Sequence, residues 1–364
     1  MRFDQFRFMR GPAGLMAALV AVLLAVLPAA PLAAAPAFQP PQEQGAMPSR
    51  LAALSPILAL ATAGERIVGV GLRGHIVISD DGGRQWKQAA SPVSSDLLAV
   101  SFPTPRQGWA VGHGGVVLHS ADGGATWTRQ LDGRQASALA IRHYQGRLAA
   151  GNDVGQFLKR EQSLAVDGTQ PFLDVYFDSE TSGYVVGTFN RLFRTEDGGK
   201  TWTPWMDRAE NPDELHFYAI RGGAHGVYLA GEQGMVWRLD AARQCFAAMR
   251  TPYKGTLFGV VSAGPGRLLV FGMRGSLLRT EDDGKTWNTV ATGSPAGITS
   301  GALLPDGAIV LVNQAGGIDL SRDQGKSFKA QQSAQPMSYF GVAGLGGGRI
   351  ALAGSEGVRL EHIK

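Results

Sequence analysis

The chain has 364 residues, of which 50 are glycine, about 14% against a usual ~7%, while Asp, Glu, Lys and Arg together make up 18% against a usual ~25%. That composition excludes a coiled coil, a helical bundle and a charged disordered tail, and a formal charge of +4 is too small and too evenly spread for a nucleic-acid surface. A single cysteine, Cys245, excludes an intramolecular disulfide and any multi-cysteine metal centre; it reads as a small buried hydrophobe, with a reactive thiol as the alternative.

Residues 1–37 open with Arg2, Arg7 and Arg10, continue through an apolar stretch from Leu15 to Leu27, and end in small residues at Ala35-Pro36-Ala37. This is the layout of a secretory signal peptide, with cleavage expected before Phe38. A retained membrane anchor is the alternative, because Gly11 to Ala35 carries no charge. The Ala-rich core points to bacterial export and so to the periplasm. Residues 38–364 are then expected to form one domain.

Beyond the leader one unit recurs: an apolar strand, a glycine, two variable residues, usually a second glycine, and another apolar strand. It reads VGVGLRGHIVIS from Val68, WAVGHGGVVLHS from Trp109, YVVGTFNRLFRT from Tyr184, VYLAGEQGMVWR from Val227, LLVFGMRGSLLR from Leu268, IVLVNQAGGIDL from Ile309 and IALAGSEGVRLE from Ile350. The first glycine or its equivalent falls at Gly71, Gly112, Gly187, Gly231, Gly272, Asn313 and Gly354, with spacings of 41, 75, 44, 41, 41 and 41. A fixed period near 40 predicts a β-propeller with four strands per blade. The last unit stops after its third strand, so the fourth is expected from the N-terminal stretch 46–54.

Each unit also carries a turn of the form Ser/Thr-x-Asp-x-Gly-x-Thr/Ser-aromatic. It is complete at SADGGATW from Ser120, TEDGGKTW from Thr195, TEDDGKTW from Thr280 and SRDQGKSF from Ser321, and nearly so at SDDGGRQW from Ser79. Physically, the carboxylates of Asp81, Asp122, Asp197, Asp282 and Asp323 can cap amides of their own turns. The aromatics Trp86, Trp127, Trp202, Trp287 and Phe328 can bury area between neighbouring sheets. In the unit around Gly231 only the aromatic Phe246 survives.

The spacing of 75 is nearly two units. Within it, ALAIRH from Ala138 reads as an innermost strand and RLAAGNDVGQFLKR from Arg147 as a degenerate strand, turn, strand, with Gly151 dividing the gap into 39 and 36. The expectation is therefore eight blades, with 132–168 a degenerate one. The alternative is seven blades with a helical hairpin inserted at 132–168, because Ala136, Ala140, Tyr144 and Leu148 lie at i+4 steps, although Gly146, Gly151 and Gly155 oppose a helix.

The Asp-turns, with the GWAVGHGG-type hairpins before them, resemble the BNR/Asp-box repeat proteins, and most of all the photosystem II stability/assembly factor family and its bacterial relatives. The resemblance covers roughly residues 50–364. It implies a propeller, seven-bladed in that family, and an assembly or stability role toward a membrane protein complex; an inner-membrane transporter is the more cautious client.

In a four-stranded blade the turn between strands two and three shares a face with the blade-to-blade linkers. That rim holds the candidate partner-binding residues Arg73, His113, Asn190, Arg191, Trp205, Glu232, Gln233, Tyr253, Arg274, Gln314 and Glu356. Arginine grips carboxylates bidentately, so Arg73, Arg191 and Arg274 lead. The bland reading of each is a solvated turn residue. The expected protein is a non-enzymatic, monomeric interaction factor for a membrane protein or membrane-associated complex in the envelope, with no cofactor, metal or nucleic acid.

Asp-box propellers also include sialidases and other glycosidases, so the same three arginines could serve as a triad and Glu232 with Glu356 as paired carboxylates. The Phe/Tyr-Arg-Ile-Pro element of sialidases is missing, however; the comparable stretch reads Ser49-Arg50-Leu51-Ala52. A sugar- or small-ligand-binding propeller is the third reading. Seven histidines show no HxxxH or HExxH spacing, and the glycines of 69–74 sit in a strand, turn, strand without a helix.

Overall fold

Among the described residues no strand exceeds eight residues and most end in a tight turn, so each pairs with its neighbour in sequence. The computed structural model describes residues 38–223 and 225–363; the expected signal peptide lies outside them. Among the described residues, twenty-seven strands form seven antiparallel sheets, the blades, at 57–89, 97–131, 172–204, 217–250, 257–289, 298–331 and 339–362. Six have four strands and the seventh has three. In each blade the first strand lies innermost; these seven strands neighbour one another around the ring, the last against the first. Buried clusters lie between adjacent blades, as with Val70 and Ile76 of blade 1 and Val93 of the linker against Leu97, Ala110 and Leu118 of blade 2.

The eight-blade expectation is overturned. Between blades 2 and 3 stand two helices, α1 (Gly133–Ala149) and α2 (Gly155–Leu164), so 132–168 is an inserted hairpin and not a degenerate blade. Asp132 starts α1 with a capping box: it accepts from the Gln135 amide at 2.9 Å, while the Gln135 side chain accepts from the Asp132 amide at 3.0 Å. Ala136, Ala140 and Tyr144 form the buried face at i+4 steps. The glycines that argued against a helix stand where a helix tolerates them. Gly151 (φ +83°) follows the end of α1, Gly155 opens α2, and Gly146 alone is interior, on an exposed face.

The fourth strand expected from 46–54 does not form either. Blade 1 supplies all four of its own strands from Ile57 onward, and the stretch before it lies as a strap. Pro41 O accepts from the Ser94 amide at 2.8 Å, Ala46 N donates to Ser91 O at 3.1 Å, and Ser49 N donates to Gln88 Oε1 at 2.7 Å. A single 3₁₀ turn, Ala52–Leu54, then meets the third strand of blade 7.

On the face opposite the linkers, the acidic turns close on themselves. Asp122 Oδ1 accepts from Ser120 Oγ and the Thr126 amide, both at 2.9 Å, and Oδ2 from Thr126 Oγ1 at 2.6 Å; Asp197, Asp282 and Asp323 repeat the arrangement. Trp127 donates from Nε1 to Gly124 O at 2.9 Å and packs edge-on against Phe102. The hydroxyl of Thr286, with its amide, holds Asp282 down to about 2, and Ser327 does the same for Asp323. Folding lowers these values, so their stabilisation is fully present above about pH 4, where an unfolded aspartate is ionised, and disappears as pH falls toward 2. Denaturant midpoints measured from pH 5 to pH 2 are expected to fall more steeply for the native chain than for a variant with Asp282→Asn and Asp323→Asn.

Candidate functional site

The rim is built from the turns between strands two and three, and one position in each decides what it displays. In blades 1, 4 and 5 that position is left-handed and is not glycine: Arg73 at φ +56°, Gln233 at +55° and Arg274 at +56°. Blade 3 places Phe189 (+55°) and Asn190 (+60°) there. A large side chain in this region costs about 1 kcal/mol or more, so glycine would be the undemanding residue at each of these turns. Arg73 and Arg274 are exposed, and neither makes an ion pair among the described residues. Blades 7 and 6 lie between them, which puts the two cations on opposite sides of the channel mouth.

The other candidates divide into surface and scaffold. His113, Gln233, Gln314 and Glu356 are exposed on blades 2, 4, 6 and 7, and Glu356 pairs with Arg359. Glu232 is half-buried and accepts from the His216 amide at 2.8 Å; Tyr253, also half-buried, donates to Met273 O at 3.1 Å. Three candidates prove to be internal.

Arg191 is 0% exposed, so it cannot meet a partner or join an arginine triad. Its Nη2 donates to Glu161 of α2 and to Ser137 of α1, both at 3.1 Å, and its guanidinium faces the rings of Phe172 and Phe193. Burial pushes the Glu161 carboxyl up and the Arg191 guanidinium down, while their mutual attraction opposes both shifts. Asn190 is buried as a bracket that donates to Met206 O and accepts from Asn211. Trp205 is buried beneath the Arg194 guanidinium, 4.7 Å from its ring centre. The supposed carboxylate pair is also not assembled. Glu232 and Glu356 sit on blades 4 and 7, with blades 5 and 6 between them, and each is engaged locally.

What the sequence pattern did not reveal is a collar. Every innermost strand carries a β-bulge at its second residue, so that this residue drops out of the pairing register in all seven blades. The seven bulged residues are Leu58, Leu98, Leu173, Tyr218, Phe258, Thr299 and Phe340, all half-buried and all lining the central channel, a cavity of about 410 Å³. A bulge re-aims its side chain, and here it aims six apolar groups at the mouth on the rim face. A signal that could have pointed to it is present: a large apolar or aromatic residue recurs directly after the apolar residue that opens the inner strand in six of seven units. Deeper in the channel, Asp174 stands where the other blades have Ala, Gly or Ser. It accepts from the Ile220 amide at 2.8 Å and pairs with Arg221; burial pushes its carboxyl up against the pull of that arginine.

The hairpin is tied to the rim at blade 3 and the linker that follows it. Asp207 accepts from Tyr144 Oη at 3.1 Å and pairs with Arg147, while Arg160 pairs with Glu214 and lies over the exposed ring of Phe189. Phe189 meets His216 edge-on at 4.7 Å, and Tyr218 meets Phe258 at 5.7 Å, so aromatic surface runs from the hairpin into the mouth. Among the described residues, no group of three His, Cys, Asp or Glu side chains converges, and no helix is long and apolar enough to cross a membrane.

Comparison with known proteins agrees with this architecture. A family model described as photosynthesis system II assembly factor YCF48 matches residues 61–139 and 157–328; the stretch between the two matches holds the second half of α1, the turn after it and the start of α2. The chain is 26% identical over 258 residues to a photosystem II assembly protein Ycf48 of Synechococcus sp. (strain JA-2-3B'a(2-13)), covering 56% of this chain and 78% of that one. It is 22% identical over 301 residues to a photosystem II assembly lipoprotein Ycf48 of Synechococcus sp. (strain CC9902), covering 81% of each. A solved structure titled YCF48 bound to D1 peptide superposes with a TM-score of 0.61 at 16% identity, over 90% of this chain and 99% of that one.

Proposed function

The chain belongs to the photosynthesis system II assembly factor YCF48 family, and from that premise we propose that it is a non-enzymatic, exported assembly or stability factor whose rim holds a segment of a membrane protein. The carrying observation is the collar: seven bulges aim seven side chains, six of them apolar, into one mouth, flanked by Arg73 and Arg274, which make no ion pair among the described residues. Such a mouth suits an extended apolar segment with acidic groups beside it, because apolar burial supplies affinity and the flanking charges set orientation. The D1 peptide bound by the solved relative supports a membrane protein as client, and the lipoprotein relative supports a site of action at a membrane surface outside the cytoplasm. The periplasm is the compartment we propose. Nothing in the comparisons supports a transporter as client.

The test is affinity capture from detergent-solubilised envelope with the tagged chain. The native protein is expected to recover a defined membrane protein. Arg73→Glu with Arg274→Glu, and separately Phe258→Ala with Phe340→Ala, are each expected to lower that recovery at least tenfold while leaving the circular dichroism spectrum unchanged. Equal recovery by both folded variants would remove the rim as the binding site.

A further inference from the structure

Among the described residues six blades have a fourth strand, whereas blade 7 has three, the outermost being Gly357–His362. The direction of its free backbone groups follows from one hydrogen bond. Ile363 N donates to Gly348 O at 2.8 Å, which fixes the alternation along the strand: residues 357, 359 and 361 face the neighbouring strand of their own blade, and Val358, Leu360 and His362 face outward. The three outward amides have no acceptor among the described residues. Leu360, at the centre of this open edge, is 39% exposed.

The side chains flanking Leu360 are of opposite sign, Arg359 before it and Glu361 after it. An arbitrary strand approaching this edge meets one charge of each sign, which is how edge strands are kept from indiscriminate pairing. A second copy approaching antiparallel about Leu360 meets something different. Leu360 then faces Leu360, Val358 faces His362, and each Arg359 stands directly opposite a Glu361 in the two pairs where side chains come closest. A parallel in-register approach sets arginine against arginine.

We infer that the open edge of blade 7 is a self-association surface, on which two chains pair antiparallel through Gly357–His362 and join two three-stranded blades into one six-stranded sheet. This differs from the monomer expected of the sequence. The strand runs from the rim turn toward the opposite face, so the antiparallel mate presents its rim on the other side and both collars stay open. In the lone chain Arg359 is held by Gln335 and Glu356, and Glu361 accepts from Ser333 Oγ at 2.5 Å; the mate's charges compete with these contacts.

Sedimentation velocity of the purified chain across micromolar to submillimolar concentration tests this. A concentration-dependent dimer is expected. Arg359→Glu is expected to weaken it at least tenfold, and Arg359→Glu combined with Glu361→Arg to restore it, since the swapped edge is again complementary to itself. Leu360→Pro removes an outward amide that has no acceptor among the described residues, so it should abolish the dimer; because the Leu360 side chain also packs against Gly83 of blade 1, Leu360→Ala, which loses that packing but keeps the amide, is the stability control and should still dimerise. A monomer at every concentration, or a dimer indifferent to Arg359→Glu and Leu360→Pro, overturns the inference.

Discussion

Replacing Glu161 with leucine is expected to destabilise the docked hairpin by about 3–5 kcal/mol, the usual cost of leaving a buried charge without its partner. Arg191 would remain fully enclosed between Phe172, Phe193 and α1, with Ser137 its sole remaining polar contact. The loss should be local. The hairpin is inserted between complete blades, so the ring can stay closed while α1 and α2 lift away. Hydrogen exchange is the discriminating measurement: protection across Gly133–Leu164 should collapse while the strands of blades 5 and 6 keep theirs. The double variant Glu161→Leu with Arg191→Met should recover most of the stability, because an apolar pair of similar volume can replace a buried ion pair at little net cost. If the single variant exchanges like the native chain, the pair does not hold the hairpin.

Gly234→Ala is the second large expected effect. Gly234 closes the rim turn of blade 4 at φ +70°, and a Cβ there would stand 2.0 Å from the carbonyl oxygen of Tyr253, inside contact distance of a backbone atom that cannot swing away. The left-handed conformation costs alanine about 1–2 kcal/mol on its own. Displacing the linker 251–255 also breaks the Gly234 N to Gly255 O and Thr251 Oγ1 to Gly234 O hydrogen bonds, for a total of about 3 kcal/mol or more. Gly307→Ala is the matched control. Gly307 has φ +83° with nothing within 4 Å of the new methyl, so the conformational cost of about 1–2 kcal/mol should stand alone. Urea unfolding of the two variants side by side checks the difference; equal losses would mean that the linker yields freely.

The propeller was legible because its evidence repeats. A 41-residue period and an eight-residue turn recur together, and each turn satisfies its own amides regardless of what surrounds it. The hairpin was harder, because the i+4 row of Ala136, Ala140 and Tyr144 competed with three nearby glycines, and the balance turns on which side of a helix end each glycine falls. Arg191 was misread for a different reason. Its position in the repeat is a rim turn, and the groups that bury it come from Ser137 and Glu161, 54 and 30 residues upstream, in an element absent from every other blade. Local pattern cannot report a neighbour brought in from elsewhere. The collar was hidden in another way: its residues recur in register, but a bulge at the second residue of each inner strand breaks the alternation by which strands are usually read.

The strap has a consequence for the order of assembly. Ala53 lies against Gly357 of blade 7, a position made about 300 residues later, and among the described residues no strand ladder crosses that junction. Blades 1 to 6 can each form from neighbours already synthesised, whereas the N-terminal turn must wait for the final stretch of the chain. Ring closure is therefore the step of greatest sequence separation, and the slowest contact to find. A chain still emerging from synthesis or export would be an open arc of finished blades, with its first and last elements apart, becoming a circle when its end arrives.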